Sequence, residues 1–239
     1  MASWMVHLRI ADGLLDRIKG LDETAFVMGN IAPDSGVPNA DWTTYTPSSE
    51  VSHFKKKVFR DGKEENEIDI ALFVENYLSK EKIQKYDKKQ YSFYVGYWTH
   101  LYTDILWAEQ IAAPCMDKYI EKNQMPQYPY LNKEEKQRII WGVKADWYDL
   151  DFLYIQENPN FRTFHIYKNA VNFENTYMDI FAKDAFENRR KYITGFYMEK
   201  RENLDREYPY LTKERAQQFV AEATKIIQVS ELFQDIIKN

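Results

Sequence analysis

Histidine and aspartate side chains in the first half of the chain could together bind divalent cations. The 239-residue sequence has only four histidines, and His7, His53 and His100 all lie near Asp34 or Asp104 along the chain. Zinc and similar ions favour imidazole nitrogen and carboxylate oxygen. Two such ions, about 3.5–4 Å apart, can activate a water and stabilise the oxyanions of a phosphate displacement. The five residues therefore predict a two-metal centre with positions left open for water and substrate.

The pair His100 and Asp104 lies in the most apolar stretch of the chain, residues 91–112. Residues four apart point from the same face of a helix, and a helix that is hydrophobic on all sides is buried. A buried carboxylate is costly unless it is paired or bound to a metal. Gly96 costs about 1 kcal/mol relative to alanine in a helix interior, which indicates a close approach by another segment. We expect a central helix here, and we expect the pair to form half of a metal site.

Each candidate ligand also has an ordinary structural interpretation when it is taken alone. An HxxxD pair occurs often by chance. His7 lies beside the apolar stripe of a first helix, where a histidine is more often a packed core residue than a ligand. Asp34 follows Pro33 in a turn-like stretch and could make an Asx turn. His165 is expected to be packed or hydrogen-bonded, with metal ligation as the less favoured alternative.

Helical periodicity recurs along the chain, and no convincing strand alternation occurs. We therefore predict an all-α fold: a multi-helix bundle around the buried central helix, in one domain that spans residues 1–239. The central helix should begin after the N-cap Asp87 and should kink or end near Ala113, before Pro114. No long element is predicted between residues 34 and 65. The other helices are expected at 3–19, 67–79, 115–122, 132–155, 163–181, 184–203 and from 212 onward.

Composition and charge exclude several classes of protein. The net charge of −5 argues against a dedicated nucleic-acid-binding surface. The single cysteine excludes an internal disulfide. We find no signal peptide and no apolar run long enough to span a membrane, so a cytoplasmic location is expected. The basic run Lys55–Lys57 is expected to be a solvated face, with attraction of a phosphate as the alternative.

Four pieces of the sequence, in order, resemble the zinc-dependent phospholipase C/S1–P1 nuclease-like superfamily, the phospholipase C/D domain. They are a histidine in the first helix (His7), a small-Pro-Asp turn after an apolar segment (Asp34), an isolated loop histidine before phenylalanine (His53), and a glycine-containing aromatic helix with HxxxD (His100 and Asp104). The pieces cover roughly the first 110 residues. The ordered set is far more specific than any one piece.

The resemblance implies an all-α fold with a zinc cluster in a cleft, and hydrolysis of phosphoester bonds by a metal-activated water. It implies that Asp34, His53 and His100 hold one zinc, that His7 holds a second, and that Asp104 bridges the two. It also implies that Asp34 is the catalytic carboxylate, which takes a proton from the attacking water. The expected protein is a phospholipase C-like phosphodiesterase that acts on a phospholipid head group or a small phosphate ester.

Aromatic side chains could line such a cleft and bind a base or a choline-like cation. The candidates are Trp42, Tyr45 and Tyr102, and the alternative for each is simple core packing. For Trp98 core packing is the preferred interpretation.

The sequence also departs from the secreted members of this superfamily. Their mature N-terminal tryptophan gives its amine and carbonyl to zinc, whereas Trp4 is not terminal. Gln110 stands where they carry a further histidine, and no histidine or glutamate ligand is found near Gln124 and Tyr128. We therefore expect two zinc ions, or other divalent ions, rather than three.

A non-catalytic domain and another class of phosphohydrolase are the alternatives to this enzyme. A non-catalytic metal-binding helical domain could keep the fold after loss of turnover. An HD-type phosphohydrolase would need adjacent His-Asp ligands, and the sequence contains no His-Asp dipeptide, so that class is set aside.

Overall fold

Helices dominate the computed structural model, which describes residues 1–40, 43–60, 63–127 and 130–238. The all-α prediction is confirmed. The helices are α1 (Trp4–Leu15), α2 (Glu23–Ile31), α3 (Ser49–Ser52), α4 (Ile70–Tyr77), α5 (Lys80–Ile83), α6 (Lys88–Trp107), α7 (Ala113–Lys122), α8 (Lys133–Glu157), α9 (Arg162–Asn169), α10 (Ala185–Met198), α11 (Lys213–Val229) and α12 (Glu231–Lys238).

Two short antiparallel strand pairs accompany the helices. Strand β1 (Val37–Pro38) pairs with β2 (Tyr45–Thr46), and β3 (Lys55–Arg60) pairs with β4 (Lys63–Ile68). Both lie in the segment between α2 and α4, which also contains α3. A 3-10 turn, Ala32–Asp34, continues directly from α2.

Helix α6 is the buried central helix that its sequence predicts. The Asp87 carboxylate accepts a hydrogen bond from the Gln90 backbone N–H at 2.7 Å and so caps its first turn. From Ser92 onward nearly every side chain of the helix is buried, including His100 and Asp104. The surrounding core takes buried residues from α1, α2, α8 and α11. In the parts of the chain that the structure describes, no helix is long and apolar enough to cross a membrane.

Two glycines allow α2 and α6 to cross with their backbones in contact. A Cβ atom added to Gly96 would lie 2.1 Å from the Phe26 carbonyl oxygen, and one added to Gly29 would lie 2.0 Å from the Phe93 carbonyl oxygen. Neither position has room for any other residue without a shift of the helices. The crossing confirms the close approach that Gly96 predicts, and it brings the end of α2 beside His100.

The hairpin β3–β4 is a correction to the sequence analysis, which predicts no strand here and begins the next helix at residue 67. Charged residues occupy both faces of the hairpin, so apolar alternation is missing. The Lys57 ammonium lies 2.7 Å from the Glu64 carboxylate, and that of Lys56 lies 3.1 Å from that of Asp69. Two lysines of the basic run are therefore paired with carboxylates. Asp69 caps α4 through the Leu72 N–H at 3.1 Å, which delays the helix to Ile70.

Near Pro114 the regular α-helix is interrupted: α6 ends at Trp107, a π-helical turn spans Ala108–Ala112, and α7 continues the chain. A later boundary differs from the expected one. Helix α9 ends at Asn169 instead of continuing to residue 181, and an irregular segment follows. The Asn175 side chain organises it by donating to the Met178 and Phe181 carbonyls at 2.7 and 2.8 Å. Side-chain bonds of this kind compete with helix formation.

Candidate metal centre

Four segments bring the five predicted ligands to one place. Helix α1 carries His7, the 3-10 turn ends at Asp34, His53 follows α3 as its C-cap, and α6 carries His100 and Asp104. Within the described residues, two groups have ligand atoms that all lie within 4.8 Å of one another. One group is His7, His100 and Asp104; the other is Asp34, His53 and His100.

The Asp104 carboxylate is at the centre of the cluster. Its Oδ1 lies 3.4 Å from His7 Nε2, and its Oδ2 lies 3.5 and 3.6 Å from the Nε2 atoms of His53 and His100. His53 Nε2 is also 3.4 Å from Asp34 Oδ1 and 3.3 Å from His100 Nε2. The imidazole nitrogens and carboxylate oxygens therefore converge, as they do around a bound cation.

Backbone and hydroxyl groups hold two of the imidazoles by their other nitrogen. His100 Nδ1 lies 2.8 Å from the Asn30 carbonyl oxygen, which can only accept, so Nδ1 carries the proton and donates. His53 Nδ1 lies 3.0 Å from the Ser52 hydroxyl. A hydrogen bond at one ring nitrogen fixes the tautomer and leaves the other free to bind a metal. Both Nε2 atoms are thereby directed into the cluster.

Several buried atoms of the cluster have no hydrogen-bond partner among the described residues. They are both ring nitrogens of His7 and the Oδ2 atom of Asp104, and their side chains are at most 2% exposed. The His7 ring stacks on that of His100 with 3.7 Å between centroids. Buried polar atoms without partners are costly, and a cation coordinated by them would remove that cost. The residues therefore fit a divalent metal of the zinc type.

The electrostatic environment favours the metal-binding forms of Asp34, Asp104 and His7. The pKa of His100, in contrast, is raised, because burial is outweighed by its hydrogen bond to Asp104 and by the nearby carboxylates. Burial raises the pKa of Asp34, but the hydrogen bond from His53 and the charge of His100 outweigh it and hold that pKa below its usual value. Burial is likewise outweighed at Asp104, whose pKa is held well below normal by the chain's α-amino group and by His100 and His7. Burial and the charge of His100 lower the pKa of His7 to about 4. Ionised carboxylates and a neutral imidazole are the ligand forms.

The N-terminal segment supports the cluster in a way that the sequence analysis did not foresee. The backbone N–H of Ala2 donates to Asp104 Oδ1 at 2.7 Å, and the Trp4 indole N–H donates to Asp34 Oδ2 at 2.9 Å. Trp4 thus reaches the centre through its side chain. Its position three residues before His7, on the same helical face, is the signal that could have indicated this.

The predicted cleft residues have different outcomes. Tyr102 lies two positions from His100 and contacts Trp98, with 5.4 Å between the ring centroids; its place at the substrate site stays a prediction. Trp98 is buried, as expected for a core residue. Tyr45 is exposed. The pKa of Tyr148 is raised mainly by burial, and the charges of Asp34 and Tyr45 add to that shift. Trp42 lies outside the described residues.

His165 is outside the cluster. Its side chain is exposed, and its Nε2 lies 2.9 Å from the Pro159 carbonyl oxygen. This agrees with the expected hydrogen-bonded histidine.

Part of the sequence also matches a known protein family. Residues 6–107 match the family model of zinc dependent phospholipase C. The matched range contains all five candidate ligands, so the resemblance inferred from the four pieces is confirmed over that range. No curated protein and no solved structure matches the chain. The family match and the buried His/Asp cluster together support a metal-dependent hydrolase that uses zinc.

Replacing Trp4 with phenylalanine should weaken zinc binding without unfolding the protein. Phenylalanine keeps an aromatic ring against Phe196 and Tyr192, whose centroids lie 5.8 and 5.9 Å away, but it cannot donate to Asp34. Loss of an outer-shell partner costs about tenfold or more in metal affinity. Competition with a zinc-chelating dye measures the change. Trp98→Phe, on the face of α6 that points away from the cluster, is the matched control, and equal affinities in the two variants would contradict this role for Trp4.

Proposed function

We propose that this protein hydrolyses phosphoester bonds as a phospholipase C-like phosphodiesterase with two zinc ions. The observation that carries the proposal is the convergence of five ligands from four segments. Four of them are buried, and several of their atoms have no hydrogen-bond partner among the described residues. The match to the zinc dependent phospholipase C family supports the same chemistry. A phospholipid head group or a small phosphate ester is the proposed substrate.

The two ligand groups suggest how the ions are held. Asp34, His53 and His100 would hold one zinc; His7 and Asp104 would hold the other, with Asp104 bridging. Zinc supplies Lewis-acid polarisation of the phosphoryl oxygen and a water of lowered pKa.

Asp34 is the proposed catalytic carboxylate. It is the most exposed of the five ligands, at 10%, whereas the other four are at most 2% exposed. Trp4 holds its Oδ2 atom, and Oδ1 faces His53. Asp34 would accept the proton of the attacking water and release it to solvent, to which it is the most exposed of the five ligands. Tyr45 would line the substrate side of the site.

We also propose that residues 1–239 form one domain. The main hydrophobic core contains Met5 of α1, Phe93 of α6 and Phe233 of α12 as fully buried side chains. The two ends of the described chain therefore share one core, as expected for a single folding unit.

Zinc content and turnover together test the proposal. Protein purified without chelator should contain about two zinc ions per chain by elemental analysis, and it should hydrolyse bis(p-nitrophenyl) phosphate or a short-chain phosphatidylcholine. Chelation should abolish turnover, and added zinc should restore it. One tightly held ion without turnover on either substrate would favour the non-catalytic binding domain instead. Protein with no bound zinc would contradict both functions.

A further inference from the structure

Helix α8 brings the part of the chain beyond the family match against the metal centre. Asp151 accepts a hydrogen bond from the Ser3 hydroxyl at 2.8 Å and another from the Tyr197 hydroxyl at 2.6 Å. Trp147 packs edge-to-face on Trp107 of α6 with 5.1 Å between ring centroids. Ser3 adjoins Ala2, whose N–H binds Asp104. This face of α8 is thus fixed against the two helices that carry His7 and Asp104.

Lys144 lies on that same face of α8. Positions 144, 147, 148 and 151 fall within an arc of about 100° on a helix with 3.6 residues per turn. The Lys144 side chain is partly buried. Its ammonium group lies 5.4 Å from the centroid of the Trp141 ring. Burial lowers its pKa, and the two carboxylates whose charges oppose that shift are Asp34 and Asp104. This face of α8 lies beside the metal centre, because Tyr148 packs on Phe196 with 5.7 Å between ring centroids, and Phe196 packs on Trp4, which donates to Asp34.

Among the described residues, the Trp141 ring is the contact that Lys144 makes through its charge. In the part of the chain that the structure describes, it forms no ion pair and no hydrogen bond. The contact with the exposed Trp141 ring replaces only part of the hydration that a partly buried ammonium group loses. The neighbouring cation Arg189 is different: it donates to the Gly36 carbonyl at 2.7 Å and lies over the rings of Trp4 and Tyr192. Lys144 is thus available to an incoming anion.

The charge balance of the site specifies that anion. Two divalent ions with the carboxylates of Asp34 and Asp104 leave a net positive charge, to which Lys144 adds one more. Any ligand that approaches from the Asp34 side, where the cluster is most exposed, meets metals and ammonium together. A phosphate group, with several charged oxygens, can satisfy both at once.

We propose that Lys144 is a substrate-binding residue that donates a hydrogen bond from Nζ to a nonbridging oxygen of the substrate phosphate. This inference rests on the proposed function, since the phosphate must be at the metal centre. It assigns part of the substrate site to α8, outside the range that matches the family. Tyr148, one turn further along the same face and influenced by both Asp34 and Tyr45, would line the same side.

The test measures phosphate binding separately from zinc binding and turnover. Zinc-loaded protein freed of unbound zinc is titrated with inorganic phosphate in a calorimeter at fixed salt, and in a second arm with a soluble phosphonate analogue of short-chain phosphatidylcholine, whose scissile ester is replaced so that it cannot be hydrolysed. Lys144→Met should bind about tenfold to a hundredfold more weakly than wild type, because one charge-assisted hydrogen bond is lost. Lys144→Arg should keep most of the affinity. Lys133→Met removes the same charge from the exposed first turn of α8 and should change nothing.

The outcomes separate this inference from the proposed function. Weaker binding by Lys144→Met in either arm, with zinc content and unfolding midpoint unchanged, supports it, and the affected arm shows whether a free phosphate or a phosphodiester head group is bound. Equal affinities of Lys144→Met and wild type in both arms would overturn it while the zinc hydrolase stands. If zinc-loaded wild type binds neither ligand, or if no zinc binds, the role of Lys144 is overturned as well.

Discussion

Replacing Asp104 with asparagine should lower zinc affinity by about a hundredfold or more and reduce the bound zinc from two ions per chain to one or none. The Asp104 carboxylate lies within 3.6 Å of the Nε2 atoms of His7, His53 and His100, so it contacts both ligand groups. Asparagine has the same shape but no charge, and its amide nitrogen cannot bind a cation. Elemental analysis of protein purified without chelator gives the ratio of zinc to chain.

A matched substitution shows whether the effect is specific. Asp117→Asn makes the same chemical change at an exposed position on α7 and should keep full zinc content. Circular dichroism should show that both variants are folded. Zinc content that is the same in Asp104→Asn as in wild type would remove Asp104 from the metal centre and would contradict the proposed two-zinc site.

The candidate ligands could be predicted from sequence because their signals are local. His100 and Asp104 share a helical face by spacing alone, and a charged residue in so apolar a helix indicates a partner or a metal. Asp34 and His53 carry less information individually, and their order along the chain was what linked them to the pair. Side-chain type, helical period and order therefore sufficed to select five residues that lie together in the structure, although spacing could not show that His100 belongs to both groups.

The supporting residues could not be predicted, because their contacts are long-range. Ser3 binds Asp151 across 148 positions of the chain, and Lys144 lies on the same face of α8 as Asp151. No periodicity within α8 distinguishes these side chains from ordinary surface positions. The hairpin β3–β4 was not predicted for another reason. Its side chains include cross-strand ion pairs such as Lys57 with Glu64, so it lacks the apolar alternation by which strands are recognised.

The crossing of α2 and α6 connects fold and site, and replacing Gly96 with alanine should therefore damage both. The new methyl group would meet the Phe26 carbonyl oxygen at 2.1 Å, a backbone atom that cannot rotate away, so the helices must separate. Overpacking costs about 1–3 kcal/mol and a strained buried hydrogen bond from His100 to Asn30 costs a similar amount, while alanine returns about 1 kcal/mol of helix propensity. We expect a net loss of about 3 kcal/mol, or roughly 6–12 °C in the unfolding midpoint, together with weaker zinc binding.

Gly195→Ala is the control, because its added methyl would meet no atom within 4 Å; it should leave stability unchanged or raise it by up to about 1 kcal/mol. If both variants unfold at the wild-type midpoint by calorimetry, the helices do not depend on glycine for their contact, and His100 must be held by other means.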